Sequence, residues 1–109
     1  MARKKKFENA IRTEDELREF FEAQEDTFLK FEEIPAERRL SKRKDLNGFL
    51  LLDQILGGDN DIVCAAEHDE IYLEAELEQL AALATDEQLL DLIRSGVRFG
   101  EYDGLAMFV

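Results

Sequence analysis

Apolar residues in this chain recur every three or four positions as far as Gly57-Gly58, and every second position soon after it. The first spacing draws one stripe along a helix; the second draws one face along a strand. A chain that carries both predicts an α+β domain, not a helical bundle or an all-strand sandwich.

The helical half has clear punctuation. Thr13 and Glu16 make a capping box, in which each side chain satisfies an unpaired amide at a helix start. Leu17, Phe20, Phe21, Phe28 and Phe31 then form one stripe, which predicts an amphipathic helix over 13–34 reaching about Glu33. Ile34-Pro35 stops it, because the residue before proline disfavours helical angles. Glu14–Arg18 and Asp26–Lys30 have the spacing of helical ion pairs. A basic connector over 35–44 follows, with Ser41 as candidate N-cap of a second helix that ends near Leu56 at Gly57-Gly58. Leu46, Phe49, Leu50, Leu51, Leu52, Ile55 and Leu56 surround that helix, leaving Asn47 and Gln54 on one polar strip. It is expected to be buried nearly all round as the central element, or to bury its second side in a homodimer.

Beyond the Gly-Gly-Asp-Asn-Asp break, Ile62–Ala66 and the alternating Ile71–Leu77 predict a β-hairpin over about 62–77. Its turn, Glu67-His68-Asp69-Glu70, lacks the Asn-Gly or Asp-Gly that suits a two-residue loop best. Leu77, Leu80, Ala81 and Ala84 return to helical spacing, Thr85 and Gln88 form a second capping box, and Gly96 closes the helix it opens. A second hairpin is predicted over about 97–109, around the Gly100–Gly104 loop. The expected order is ααββααββ, with the two hairpins forming a small antiparallel sheet packed against the helices. Residues 1–12 are read as a flexible basic arm, 13–109 as a single domain and 45–109 as its acidic core.

Charge divides the same chain. Residues 1–44 hold 12 Lys/Arg against 11 Asp/Glu, a net of +1; residues 45–109 hold 2 against 15, a net of −13. Such a field chooses partners by long-range attraction and repulsion. It weighs against direct nucleic-acid binding, although Arg3, Lys4, Lys5, Lys6, Arg38, Arg39, Lys42, Arg43 and Lys44 could contact phosphates. No aromatic residues interleave these basic runs, so the stacking signature of single-strand binders is missing.

Chemistry finds little purchase. His68 is the only histidine and Cys64 the only cysteine. Neither Glu67-His68-Asp69-Glu70 nor Gly57-Gly58-Asp59-Asn60-Asp61 has the ligand spacing of a metal site. The two serines, Ser41 and Ser95, fall at predicted helix ends. The expectation is therefore a protein that is not an enzyme, with no catalytic residue, cofactor or metal. A lone cysteine makes no internal disulfide and points to a reducing, cytoplasmic setting. In its apolar run Cys64 is expected to be a small buried hydrophobe. Arg3–Lys6 leads into Phe7-Glu8-Asn9, not into the apolar run of a signal peptide, and no stretch approaches a membrane span.

What remains is the acidic surface. Alternation sends Tyr72, Glu74 and Glu76 to the wet face, with Glu67, Asp69 and Glu70 in the preceding turn. Carboxylates on a rigid strand can stand in for phosphates in the cleft of a basic protein.

The run Ala65-Ala66-Glu67-His68-Asp69-Glu70-Ile71-Tyr72-Leu73, with Gly96-Val97-Arg98-Phe99 and Leu105-Ala106-Met107-Phe108-Val109, resembles small uncharacterised proteins of phages and mobile elements. The resemblance spans about residues 44–109 and attaches no activity or site residues. It implies an accessory protein acting on host machinery. The functional expectation is an acidic protein-interaction protein, an inhibitor or nucleic-acid mimic that binds a basic host or nucleic-acid-handling partner. The alternatives are a nucleic-acid-binding accessory protein using the arm and connector, or a structural homo-oligomer.

Overall fold

The computed structural model describes residues 10–100 and 104–108. Of the expected arm over 1–12, residues 1–9 lie outside the described residues, as do the tip of the second hairpin at 101–103 and Val109. The Ile11 and Arg12 amides donate to the Ala82 and Ala81 carbonyls at 3.0 and 3.2 Å and tie the arm's end to the domain.

Thr13 opens helix α1 (Glu14–Ala23) with the expected reciprocal bonds: its hydroxyl accepts from the Glu16 amide at 3.2 Å, and the Glu16 carboxylate accepts from the Thr13 amide at 2.8 Å. The Phe stripe predicts a helix to about Glu33, but α1 stops at Ala23. Glu19, Glu22, Glu25 and Asp26 gather negative charge where the helix dipole is already negative, and no basic residue sits in the last turn. Three 3-10 turns follow instead, at Glu25–Thr27, Phe31–Glu33 and Ala36–Arg38. Between the first two, Leu29 adopts a left-handed φ of 64°, held by its amide donating to the Ile93 carbonyl at 3.1 Å. Phe28 therefore reaches the core from a turn, not from a helix face. Glu14–Arg18 forms at 3.2 Å; Asp26 lies in a 3-10 turn, so it and Lys30 share no helix.

Helix α2 (Lys44–Leu56) differs from expectation at both its start and its buried side. Arg43, not Ser41, is the N-cap residue, and the Ser41 hydroxyl accepts from the Arg43 amide at 3.0 Å just ahead of the helix. The covered side holds Asn47, Gly48, Leu51 and Leu52, while Leu46 and Leu50 are 40% and 38% exposed. So α2 lies on the domain with one face wet, and Asn47 is not on the polar strip. Its side-chain oxygen accepts from the Leu40 and Ser41 amides at 2.7 and 3.1 Å, and its amide donates to the Ser95 hydroxyl at 3.0 Å. Those three bonds satisfy the buried amide and turn the helix to face them. Gly57, at φ 64°, ends α2 as expected.

Strands β1 (Val63–Glu67) and β2 (Glu70–Leu73) form the first hairpin, helices α3 (Leu77–Leu83) and α4 (Asp86–Arg94) follow, and β3 (Arg98–Phe99) and β4 (Leu105–Phe108) complete the chain. The Thr85–Gln88 capping box is present at α4, and Gly96 at φ 103° releases the chain from it. The order is ααββααββ, as the periodicity predicts. All four strands share one antiparallel sheet, ordered β1-β2-β4-β3. Ile71, Leu73, Leu105, Met107 and Phe99 line its helix-side face and join Leu17, Phe21, Leu52, Leu80, Leu89 and Leu92 in one core. No described helix is long and apolar enough to cross a membrane.

Candidate protein-interaction surface

The turn residues of the first hairpin, His68 and Asp69, both take left-handed φ values, 53° and 65°. That is the backbone of a two-residue type I′ turn, which twists with its strands and tolerates His and Asp at some cost. The turn pairs Glu67 with Glu70 across the hairpin and holds the carboxylate of Asp69 at its exposed tip.

From there the expected acidic row divides. Glu70 is drawn in: its side chain is 12% exposed, one oxygen meets the Arg98 guanidinium, and the other accepts from the Tyr72 hydroxyl at 2.8 Å. Tyr72, expected on the wet face, is 9% exposed and lies beneath Gly100, whose added Cβ would come within 3.3 Å of the ring. Short β3 and the residue after it bring Arg98 and Gly100 over that face, which residue alternation along β2 could not reveal. β2 also ends at Leu73, so Glu74 and Glu76 leave the strand. Both are exposed; the Glu74 amide donates to the Ile62 carbonyl at 2.6 Å, and Glu76 is the N-cap residue of α3.

That bond brings a second acidic segment alongside. Asp59 and Asp61, exposed in the loop after α2, lead directly into Ile62. The acids available at this end of the hairpin are thus Asp59, Asp61, Glu74 and Glu76, with Asp69 at the far tip. The two loop aspartates fall outside the row that alternation along β2 defines, because their loop precedes the hairpin in sequence and meets it through the Glu74–Ile62 bond. A usable signal was present: residues 45–93 contain no Lys or Arg.

The arginines neutralise a subset of the other acids. Arg12 pairs with Asp86 and donates to the Ala84 carbonyl at 3.0 Å. Arg38 donates twice to Asp91, at 3.0 and 3.1 Å, and lies 3.3 Å from Glu87. Arg94 donates to Asp91 at 3.0 Å and stands 3.7 Å from Glu33. The hydrogen bond to Asp91 outweighs burial and holds Arg38 above its ordinary pKa, while burial pushes Arg98 below its own. Both remain cations near neutrality. Among the described residues, Asp59, Asp61, Asp69, Glu74 and Glu76 take part in no ion pair.

The basic residues considered for phosphate contact fare unevenly. Arg38 is committed to α4, and Arg39 lies 4.8 Å from the Phe31 ring while donating to the Ile34 carbonyl at 2.8 Å. Lys42, Arg43 and Lys44 are exposed. Arg3, Lys4, Lys5 and Lys6 lie outside the described residues.

Cys64, expected in the core, is exposed, because β1 is exposed at all five positions. Its thiol lies 3.4 Å from the Tyr72 carbonyl. His68 is exposed at the tip, 3.8 Å from Glu67. No group of three or more His, Cys, Asp or Glu among the described residues is placed to hold a metal ion. A groove of about 410 Å³ between α1 and the α4–β3 segment is lined by Phe21, Phe28, Ile93, Val97 and Phe99, with Glu22 and Glu25 at its edge. Compared with family models, curated proteins and solved structures, the chain matches none.

Proposed function

We propose that this protein works by binding a basic protein partner, with the acidic flank of the first hairpin as its contact surface. The observation that supports the reading is the division of its carboxylates. Glu70, Asp86, Glu87 and Asp91 are neutralised by arginines within the fold, whereas Asp59, Asp61, Asp69, Glu74 and Glu76, like Glu19, Glu22 and Asp53, meet no cation among the described residues. The first five cluster in sequence within residues 45–93, which hold no Lys or Arg. Carboxylates left without a counter-charge at the tip of the hairpin and in the segments flanking it make a local field that attracts basic surfaces and speeds encounter. The sharper form of the reading is sequestration of a nucleic-acid-handling protein, whose own cleft is selected to receive a row of negative charges.

The test is capture from a host lysate by the immobilised protein and by its Glu74→Lys/Glu76→Lys variant, eluted with rising salt. Both positions are exposed, so the variant keeps its fold. The expected result is a basic protein held at low salt, released by high salt, and lost with the variant. Retention by the variant, or elution indifferent to salt, would remove the reading.

A further inference from the structure

We propose that β1 is a docking edge, which takes an extended Lys/Arg-bearing segment of a protein partner as a fifth strand of the sheet. The proposal rests on the acidic-surface reading and gives it a geometry.

β1 is the outer strand at one side of the sheet, and its five residues, Val-Cys-Ala-Ala-Glu, are exposed on both faces. Edge strands usually carry a lysine or proline, or lie under a helix or loop, because their open backbone groups invite pairing. β1 has no lysine or proline, and no helix or loop among the described residues covers it. Its one irregularity is a bulge between Val63 and Ala65, which leaves Ala65–Glu67 in regular register. The opposite edge, β3, is two residues long and carries Arg98.

The backbone groups on offer follow from the turn. The pair that closes a two-residue hairpin exchanges both of its hydrogen bonds, so the Ala66 amide and carbonyl, one step along, face away from β2. Small side chains at Cys64, Ala65 and Ala66 leave room for longer ones on an incoming strand. Beside them is a hollow of about 260 Å³ lined by Cys64, Ala65, Tyr72, Leu73 and Leu105, fit to take the aliphatic stem of a lysine or arginine.

Charge decides the occupant. Asp59 and Asp61 precede β1, Asp69 follows it and Glu74 flanks it, with no Lys or Arg anywhere in residues 45–93. A second copy would bring the same acids and no Lys or Arg from residues 45–93 to meet them, and net like charge of this kind keeps copies apart. A cationic strand meets the same acids favourably.

The probe is a fluorescent decapeptide of alternating Lys and Val, with an analogue N-methylated at alternate residues to carry equal charge and fewer amide donors. Both are titrated at low salt into the native protein, Ala66→Pro and Asp61→Lys/Glu74→Lys. Binding to the native protein is expected to weaken at least about tenfold with Ala66→Pro and with the methylated peptide, the scale of one backbone hydrogen bond. The Ala66 amide should exchange more slowly in the complex. The methylated peptide keeps the test decisive if Ala66→Pro does not fold. Equal binding in both backbone arms, with loss on charge reversal, would overturn strand addition and leave the acidic-surface reading standing. Indifference to charge reversal would remove that reading and the cationic occupant with it. No binding by the native protein would also overturn strand addition.

Discussion

At Asp91 two arginines from distant parts of the sequence meet one carboxylate. The side chain is 8% exposed; Arg38, from the last 3-10 turn, gives it two bonds, and Arg94, one turn along α4, gives a third. Removing the acid leaves two guanidiniums without their main partner, which costs more than the pair contributes. Asp91→Ala is expected to lower stability by about 3 kcal/mol, the low end of the range for a broken buried pair because Arg38 reaches water. Urea unfolding reads this directly, and a loss under about 1 kcal/mol would show that the network is ornamental. None of this was legible in the sequence, where Arg38 and Arg39 read as a basic run. Asn47 was equally hidden. Its polarity suggested water, but its partners include Ser95, far along the chain.

Elements were legible where their ends carry their own chemistry. Both capping boxes, and the glycines at 57 and 96, stand where the sequence places them. The end of α1 was not, because Phe28 and Phe31 continue the helical spacing from the turns that follow it. The first hairpin was legible in position but not in exposure: an apolar run of small residues looks the same in a core or on an open edge. Its turn carries a measurable cost. His68 and Asp69 hold left-handed angles that glycine or asparagine adopt more easily. His68→Asn/Asp69→Gly is expected to raise stability by about 0.5–1 kcal/mol, since the change matches the turn's preferred backbone. Thermal unfolding checks it. No gain, or a loss, would mean that the His68 or Asp69 side chain contributes contacts worth more than the relief.

For the molecule as a whole, a net charge of −12 opposes compaction even with the structural arginines paired. Raising salt from about 10 mM to about 150 mM shortens the screening length from roughly 30 Å to about 8 Å. Repulsion among the surface acids should fall more than the close ion pairs weaken, so the melting temperature is expected to rise by a few degrees. A fall would show that the arginine pairs, and not the repulsion, dominate. The sequence made the excess charge plain but not its distribution, which depends on which acids the fold places beside an arginine. Glu70 was drawn out of the expected surface in this way; Asp59 and Asp61 came into it through the Glu74–Ile62 bond.

A basic partner docking on the acidic flank of the first hairpin would perturb that flank and leave the rest of the domain alone. Backbone amide mapping by NMR during titration with the Lys/Val decapeptide reads this. Shifts are expected to concentrate in residues 59–76 and to vanish in high salt. Shifts spread evenly over the acidic residues, or centred on the Phe21–Phe99 groove, would contradict that docking.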